Sequence, residues 1–194
     1  MRRRRLLSVA GALAAQALCP VADAAAPATE RFARNFDGMR LRDQDDRPFD
    51  FERLLGQVLL VGFVYTGCST VCPVQTRALV EVLARLPRQA RVRLVSLSVD
   101  PRGDTPAVLR AHARQVGADL SRWSFVTGRI EDIDRLGERL RLFRPDRAAT
   151  PADHASGLWC IDAEGRLVQR YAGNPPDVAR LVRELPVLAG RAQG

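Results

Sequence analysis

The sequence contains no lysine, and all 30 of its basic side chains are arginine. Schiff-base catalysis through a lysine amine is therefore excluded, and the arginine bias itself reads as a genomic habit. Histidine is nearly as scarce, with only His112 and His154. Aromatic residues make up 6% and form no stripe interleaved with basic ones, while the arginines are scattered among acids. A net charge of +8 thus does not describe a nucleic-acid surface. There is no internal repeat, and no low-complexity tract beyond an alanine-rich N-terminal segment. What is present is ordinary for a globular chain: 194 residues, 46% apolar and 27% charged, enough for one compact domain and an extra segment.

That extra segment stands at the start. A basic head, Arg2 to Arg5, precedes a short apolar run from Leu6 to Leu18 and the small-residue pattern Val21-Ala22-Asp23-Ala24. The three parts describe a secretory signal peptide over residues 1–24, cut after Ala24. The apolar run is short for a membrane span and is broken by Gln16, Pro20 and Asp23, with retention as an uncleaved anchor the alternative. Leu18 is too large for the small residue that precedes a lipid-bearing cysteine, which argues against Cys19 in that role. A twin-arginine route is a weaker match to four consecutive arginines. Loss of the leader removes four arginines and Asp23 and leaves +5. Export to the bacterial periplasm, free or tethered to the inner membrane, would place the cysteines in an oxidising compartment.

The rest is organised around Val61 to Gln75. Val58 to Tyr65 is almost wholly apolar, as a strand covered on both faces should be. Cys68 lies in the loop that follows, and Cys72 precedes Pro73, a residue suited to a helix's first turn. Cys72 is expected at or near the helix N-cap, where the positive end of the dipole lowers a thiol pKa. Apolar spacing from Val74 to Leu86 continues that helix. After a linker over 25–35, Phe36 to Phe51 reads as a β-hairpin turning at Asp43 to Asp46. Val92 to Val99 is a strand, and Asp104 is the expected cap of a helix ending near Val116. A short strand over Arg122 to Val126 and a helix over Glu131 to Phe143 follow. Arg144 to Ala155 is a loop carrying His154. Leu158 to Ile161 and Leu167 to Tyr171 form a second hairpin, and Asn174-Pro175 opens a last helix to about Leu185. The expectation is an α/β domain over 36–190 with a thioredoxin-like fold: a mixed central sheet, flanking helices and an N-terminal β-hairpin extension.

Two thiolates and one imidazole suit Cu(I), Zn or Cu(II). Structural zinc prefers four protein ligands, so an open three-ligand site in an exported protein fits a copper carrier better. The run Phe63 to Pro73, FVYTGCSTVCP, resembles the pattern of the Sco/SenC proteins, and four motifs recur in the family's order. The others are Ser96 to Pro106, Phe125 to Gly128, and Asp153-His154 before the second hairpin. The resemblance spans roughly Phe36 to Leu185. It implies copper held by Cys68, Cys72 and His154, with Asp134 a weaker correspondence. It also implies assembly of the binuclear copper centre of cytochrome c oxidase. The implied partners are the copper-site subunit and a copper donor or thioredoxin-like reductant. The sequence departs from the family at Cys160, where an apolar residue is usual, and in its cleavable-looking leader.

Other readings stand beside this one. The pair could cycle as a thiol–disulfide oxidoreductase that keeps the oxidase cysteines reduced, with His154 tuning the thiolate. It could be a structural disulfide, or the fold could be that of a thiol peroxidase, although a single peroxidatic cysteine lacks this Cys-x-x-x-Cys-His set. His112 reads as a surface residue and Cys160 as a buried small hydrophobe.

Overall fold

The computed structural model describes residues 31–68, 71–142 and 157–191. The sheet is built from β1 (Leu41–Asp43), β2 (Pro48–Phe49), β3 (Val58–Val64), β4 (Val92–Ser98), β5 (Trp123–Gly128), β6 (Leu158–Ile161) and β7 (Leu167–Tyr171). Its helices are α1 (Val71–Arg85), α2 (Pro106–Gln115), α3 (Ile130–Leu140) and α4 (Val178–Arg191). The seven strands run in the order β2-β1-β5-β4-β3-β6-β7. β3, β4 and β5 are parallel, whereas β1 joins β5, β6 joins β3 and β7 joins β6 antiparallel. This is the mixed α/β sheet expected.

Each strand residue alternates between two cores. Val58 and Leu60 of β3 face a cluster with Leu79 and Val82 of α1, Leu109 of α2, and Leu181 and Leu185 of α4. Leu59, Val61 and Phe63 face the other side, where Phe32, Phe36, Phe51, Leu136 and Trp159 pack. All seven residues of β3 are buried, which is why the segment reads as a continuous apolar run. The second cluster begins earlier than the expected boundary at residue 36. A 3₁₀ turn over Phe32–Phe36 buries Phe32 and Ala33, and the Phe36 ring stacks on Phe51 at 3.9 Å.

Several boundaries shift for local reasons. The N-terminal hairpin is shorter than expected, with Leu41 opposite Phe49. It is pinned to β5 by the buried Gln44, whose Oε1 accepts from the Phe125 N–H at 2.9 Å, and to α2 by an ion pair between Asp45 and Arg110. α4 starts at Val178 rather than at Asn174-Pro175, because Asp177 Oδ1 accepts the Arg180 N–H at 2.9 Å and caps the first turn. It continues through Pro186 to Arg191, carried by buried Leu181, Leu185 and Ala189 on one face.

Cys160 is fully buried in β6, between Leu60 and Gln169 on the neighbouring strands. Burial pushes its thiol up from 9.0 to about 12, with nearby Asp162 and Glu184 adding to the effect. A thiol whose folded pKa is raised contributes stability that is complete below its unfolded value and is lost as pH climbs toward the folded one. Alkaline destabilisation is therefore expected between about 9 and about 12. Thermal melts at increasing pH should show a smaller alkaline loss for Cys160→Ala than for the parent chain, although Cys160→Ala starts from a lower melting temperature at neutral pH.

Candidate metal and thiol site

The carboxyl ends of the adjacent parallel strands β3 and β4 lie side by side, the usual place for a site in an α/β sheet. The loop after β3 carries Cys68 and the loop after β4 carries Asp104. Asp104 is completely buried and ties the two loops together. Its carboxylate accepts from the Thr66 N–H at 3.1 Å and from Thr66 Oγ1 at 2.5 Å. It also accepts from Ser98 Oγ at 2.6 Å.

A tight turn delivers Asp104 to that position. The Asp104 N–H donates to the Asp100 carbonyl at 2.8 Å, and Asp100 Oδ1 accepts the Gly103 N–H at 3.2 Å. A Cβ on Gly103 would lie 2.5 Å from Asp100 Oδ2, so a larger residue there would push the Asp100 carboxylate out of its place in the turn. The helix cap expected at Asp104 is instead Thr105, whose side chain accepts the Val108 N–H ahead of Pro106 at the helix start. A capping residue sits at the surface, and Asp104 has gone inward to serve the thiol loop.

The two thiols are brought together as expected, in their dithiol form. The Cys72 N–H donates to Cys68 Sγ at 3.3 Å, and the two side chains hydrogen-bond each other. Their environments differ. Cys68 is half-buried at the surface, whereas Cys72 is 3% exposed. α1 begins at Val71, so Cys72 is already inside its first turn rather than at the cap. The expected lowering of its pKa does not occur. Burial pushes the thiol up to about 12, against a backbone hydrogen bond from Tyr65 that favours the thiolate, and the neighbouring Cys68 and Asp104 raise it further. The sulfur that meets the helix's N-terminal N–H is that of Cys68, where the dipole favours negative charge. The Tyr65 hydroxyl beside the pair is pushed up as well, by burial first and then by Cys68.

His154, the third expected ligand, and Asp153 lie outside the described residues, as does Cys19. Among the described residues no group of three or more His, Cys, Asp or Glu could hold a metal ion. Asp134 is exposed on α3. The buried acid of that helix is Asp132, which accepts the Arg40 N–H at 3.0 Å and is paired with Arg129 and Arg135. His112, read as a surface residue, is half-buried with its ring edge-on to Phe125 at 5.8 Å. It lines a cavity of about 420 Å³ together with Cys68. Sequence reasoning missed this because flanking Ala111 and Ala113 do not reveal which way the helix faces. The Leu109 to Ala113 spacing of the buried face is the signal that could have placed it.

Fold and site together define a thioredoxin-like protein with a dithiol at the start of its first helix. Comparison with known proteins is more specific. The SCO1/SenC family model matches residues 25–188, and the chain belongs to that family. It is 28% identical over 137 residues to the SCO1 protein homolog of Bacillus subtilis, covering 68% of this chain and 70% of the relative. The copper-bound structure of ScoI from Bradyrhizobium japonicum is 24% identical with a TM-score of 0.65, over 77% of this chain and 96% of that one. BsSco, a member of the Sco family of cytochrome c oxidase assembly proteins in which a disulfide switch was identified, is 24% identical with a TM-score of 0.64. That match covers 77% of this chain and 90% of BsSco.

Two outcomes follow from this geometry. Asp104→Ala leaves the Thr66 N–H and two hydroxyls without their acceptor, and should cost about 2–4 kcal/mol in urea denaturation, given ~1.5–3 kcal/mol for a hydrogen bond to a charged group. Brief treatment of the native protein lacking residues 1–24 with iodoacetamide should alkylate Cys68 and spare Cys72 and Cys160, while the same protein denatured should react at all three of these cysteines, as read by peptide mass mapping.

Proposed function

We propose that this protein binds one copper ion through Cys68, Cys72 and His154 and passes it on during assembly of the binuclear copper centre of cytochrome c oxidase. The observation that carries this reading is the paired sulfurs of Cys68 and Cys72 at the open end of the parallel strands, in a chain of the SCO1/SenC family. Two described ligands do not complete a copper site, and a distant imidazole supplied by His154 would make three. The incomplete shell matters for transfer. A half-exposed Cys68 can share the metal with an incoming cysteine of the oxidase subunit while the buried Cys72 still holds it. Sulfur ligands favour Cu(I), and the imidazole extends the site to Cu(II). Copper must displace the Cys72 proton, so loading releases protons and strengthens as pH rises.

The relatives' attributes support the same reading, since one was solved with copper bound and another belongs to a family of oxidase assembly proteins. Export to the periplasm, from the leader over residues 1–24, and a membrane-proximal partner complete the proposal. No helix among the described residues is long and apolar enough to cross a membrane.

The exposed and buried thiols also support a second reading, in which the metal-free pair reduces the oxidase cysteines by thiol–disulfide exchange. Copper and disulfide exclude each other on one pair, so both roles can belong to one protein at different stages.

The purified mature protein should bind one equivalent of copper. Cys68→Ala or His154→Ala should weaken binding on the order of 100-fold or more, beyond the roughly 10–100-fold typical of second-shell losses. Binding of both copper states by His154→Ala as tightly as by the unaltered protein would remove the three-ligand assignment. Rapid reduction of a partner disulfide by metal-free His154→Ala would favour the oxidoreductase reading.

A further inference from the structure

The cavity beside Cys68 has a chemistry that copper binding does not use. It lies between α1 and α2, and its volume of about 420 Å³ is in the range of small-molecule sites. Cys68 forms part of its wall, with Arg77, Thr76, Val80, His112 and Gln115 around it. Arg77 is exposed and has no ion pair among the described residues, unlike the paired arginines of α3 and α4. The Nε2 atom of His112 is buried without a hydrogen-bond partner. Burial also favours the neutral imidazole, against the pull of Asp104.

We infer that this cavity binds a small peptide thiol carrying a carboxylate, and its disulfide, next to Cys68. The parts match in kind. The guanidinium of Arg77 pairs with a carboxylate. The Gln115 amide meets peptide N–H and C=O groups, the His112 ring forms part of the wall, Val80 packs against an aliphatic stem, and Cys68 faces the ligand's sulfur. The inference rests on the dithiol of the proposed function and not on copper.

The chemistry is thiol–disulfide exchange in two balanced steps. The Cys68 thiolate attacks one sulfur of the ligand disulfide, a Cys68–ligand bond forms, the ligand's own S–S bond breaks, and the departing thiolate takes up the proton that Cys68 gave up. Cys72 then displaces the second ligand thiol. The net change converts one dithiol and one ligand disulfide into the Cys68–Cys72 disulfide and two ligand thiols. Run in reverse, two ligand thiols restore the dithiol that metal loading requires.

The test uses metal-free mature protein, with glutathione disulfide as the probe and the uncharged bis(2-hydroxyethyl) disulfide as the reference. Intact-mass analysis after acid quenching gives the two rates. The rate with glutathione disulfide should saturate with concentration, showing a complex before exchange. Arg77→Gln should lower the ratio of the glutathione rate to the reference rate at least fivefold, and Val80→Phe should abolish saturation. In the unaltered protein, S-methylglutathione, which cannot exchange, should slow iodoacetamide labelling of Cys68. A strictly linear rate, a ratio insensitive to Arg77→Gln, or no protection by S-methylglutathione overturns the inference. Copper stoichiometry of the same preparation reports separately on the metal site, so failure of one reading is distinguishable from failure of the other.

Discussion

The buried Asp104 carboxylate is the constraint on which the site depends. It sits among the ends of two adjacent parallel strands and satisfies donors from the loop after β3 and from the end of β4. A charge so placed is tolerable only when its lone pairs are fully used. Thr66, two residues before Cys68, provides two of the donors, so the conformation of the thiol loop and the solvation of the carboxylate are the same problem. The Asp100 to Gly103 turn solves the other half by feeding the carboxylate inward.

The dithiol divides its tasks by depth. Cys72 is buried in the first turn of α1 and favours its protonated form. Cys68 is at the surface and accepts the helix's N–H. One sulfur is therefore available to an incoming group while the other is retained. Both the copper reading and the exchange reading draw on that asymmetry.

Most of the fold was legible in the sequence because its determinants are local. The continuous apolar run of β3 and the two hairpin turns state their own structure. Cys160, in a short apolar strand, was correctly read as a buried hydrophobe. What escaped depends on contacts between segments far apart in the chain. Asp104 followed by Thr105-Pro106 has the pattern of a cap, and only the 38-residue separation to Thr66 explains why the cap moved one place along. Cys72 showed the same limit. Position relative to a helix end can be inferred from Pro73, but burial by the rest of the domain reversed the expected effect on its thiol. His112 was misread because neighbours on the chain do not report which neighbours in space a helix residue meets. The Cys68–Cys72 pairing emerged from spacing alone, whereas His154 rests on family resemblance and lies outside the described residues.

The placement of Cys160 has a consequence for the protein's covalent history. It is sealed in the sheet interior, on a strand that pairs with β3, whereas Cys68 reaches solvent at the end of β3. In the native state a bond between them has no route to form. Any molecule recovered with Cys160 cross-linked must have acquired that bond while the sheet was open, so this sulfur serves as a record of unfolding or misfolding that the closed domain cannot write or erase.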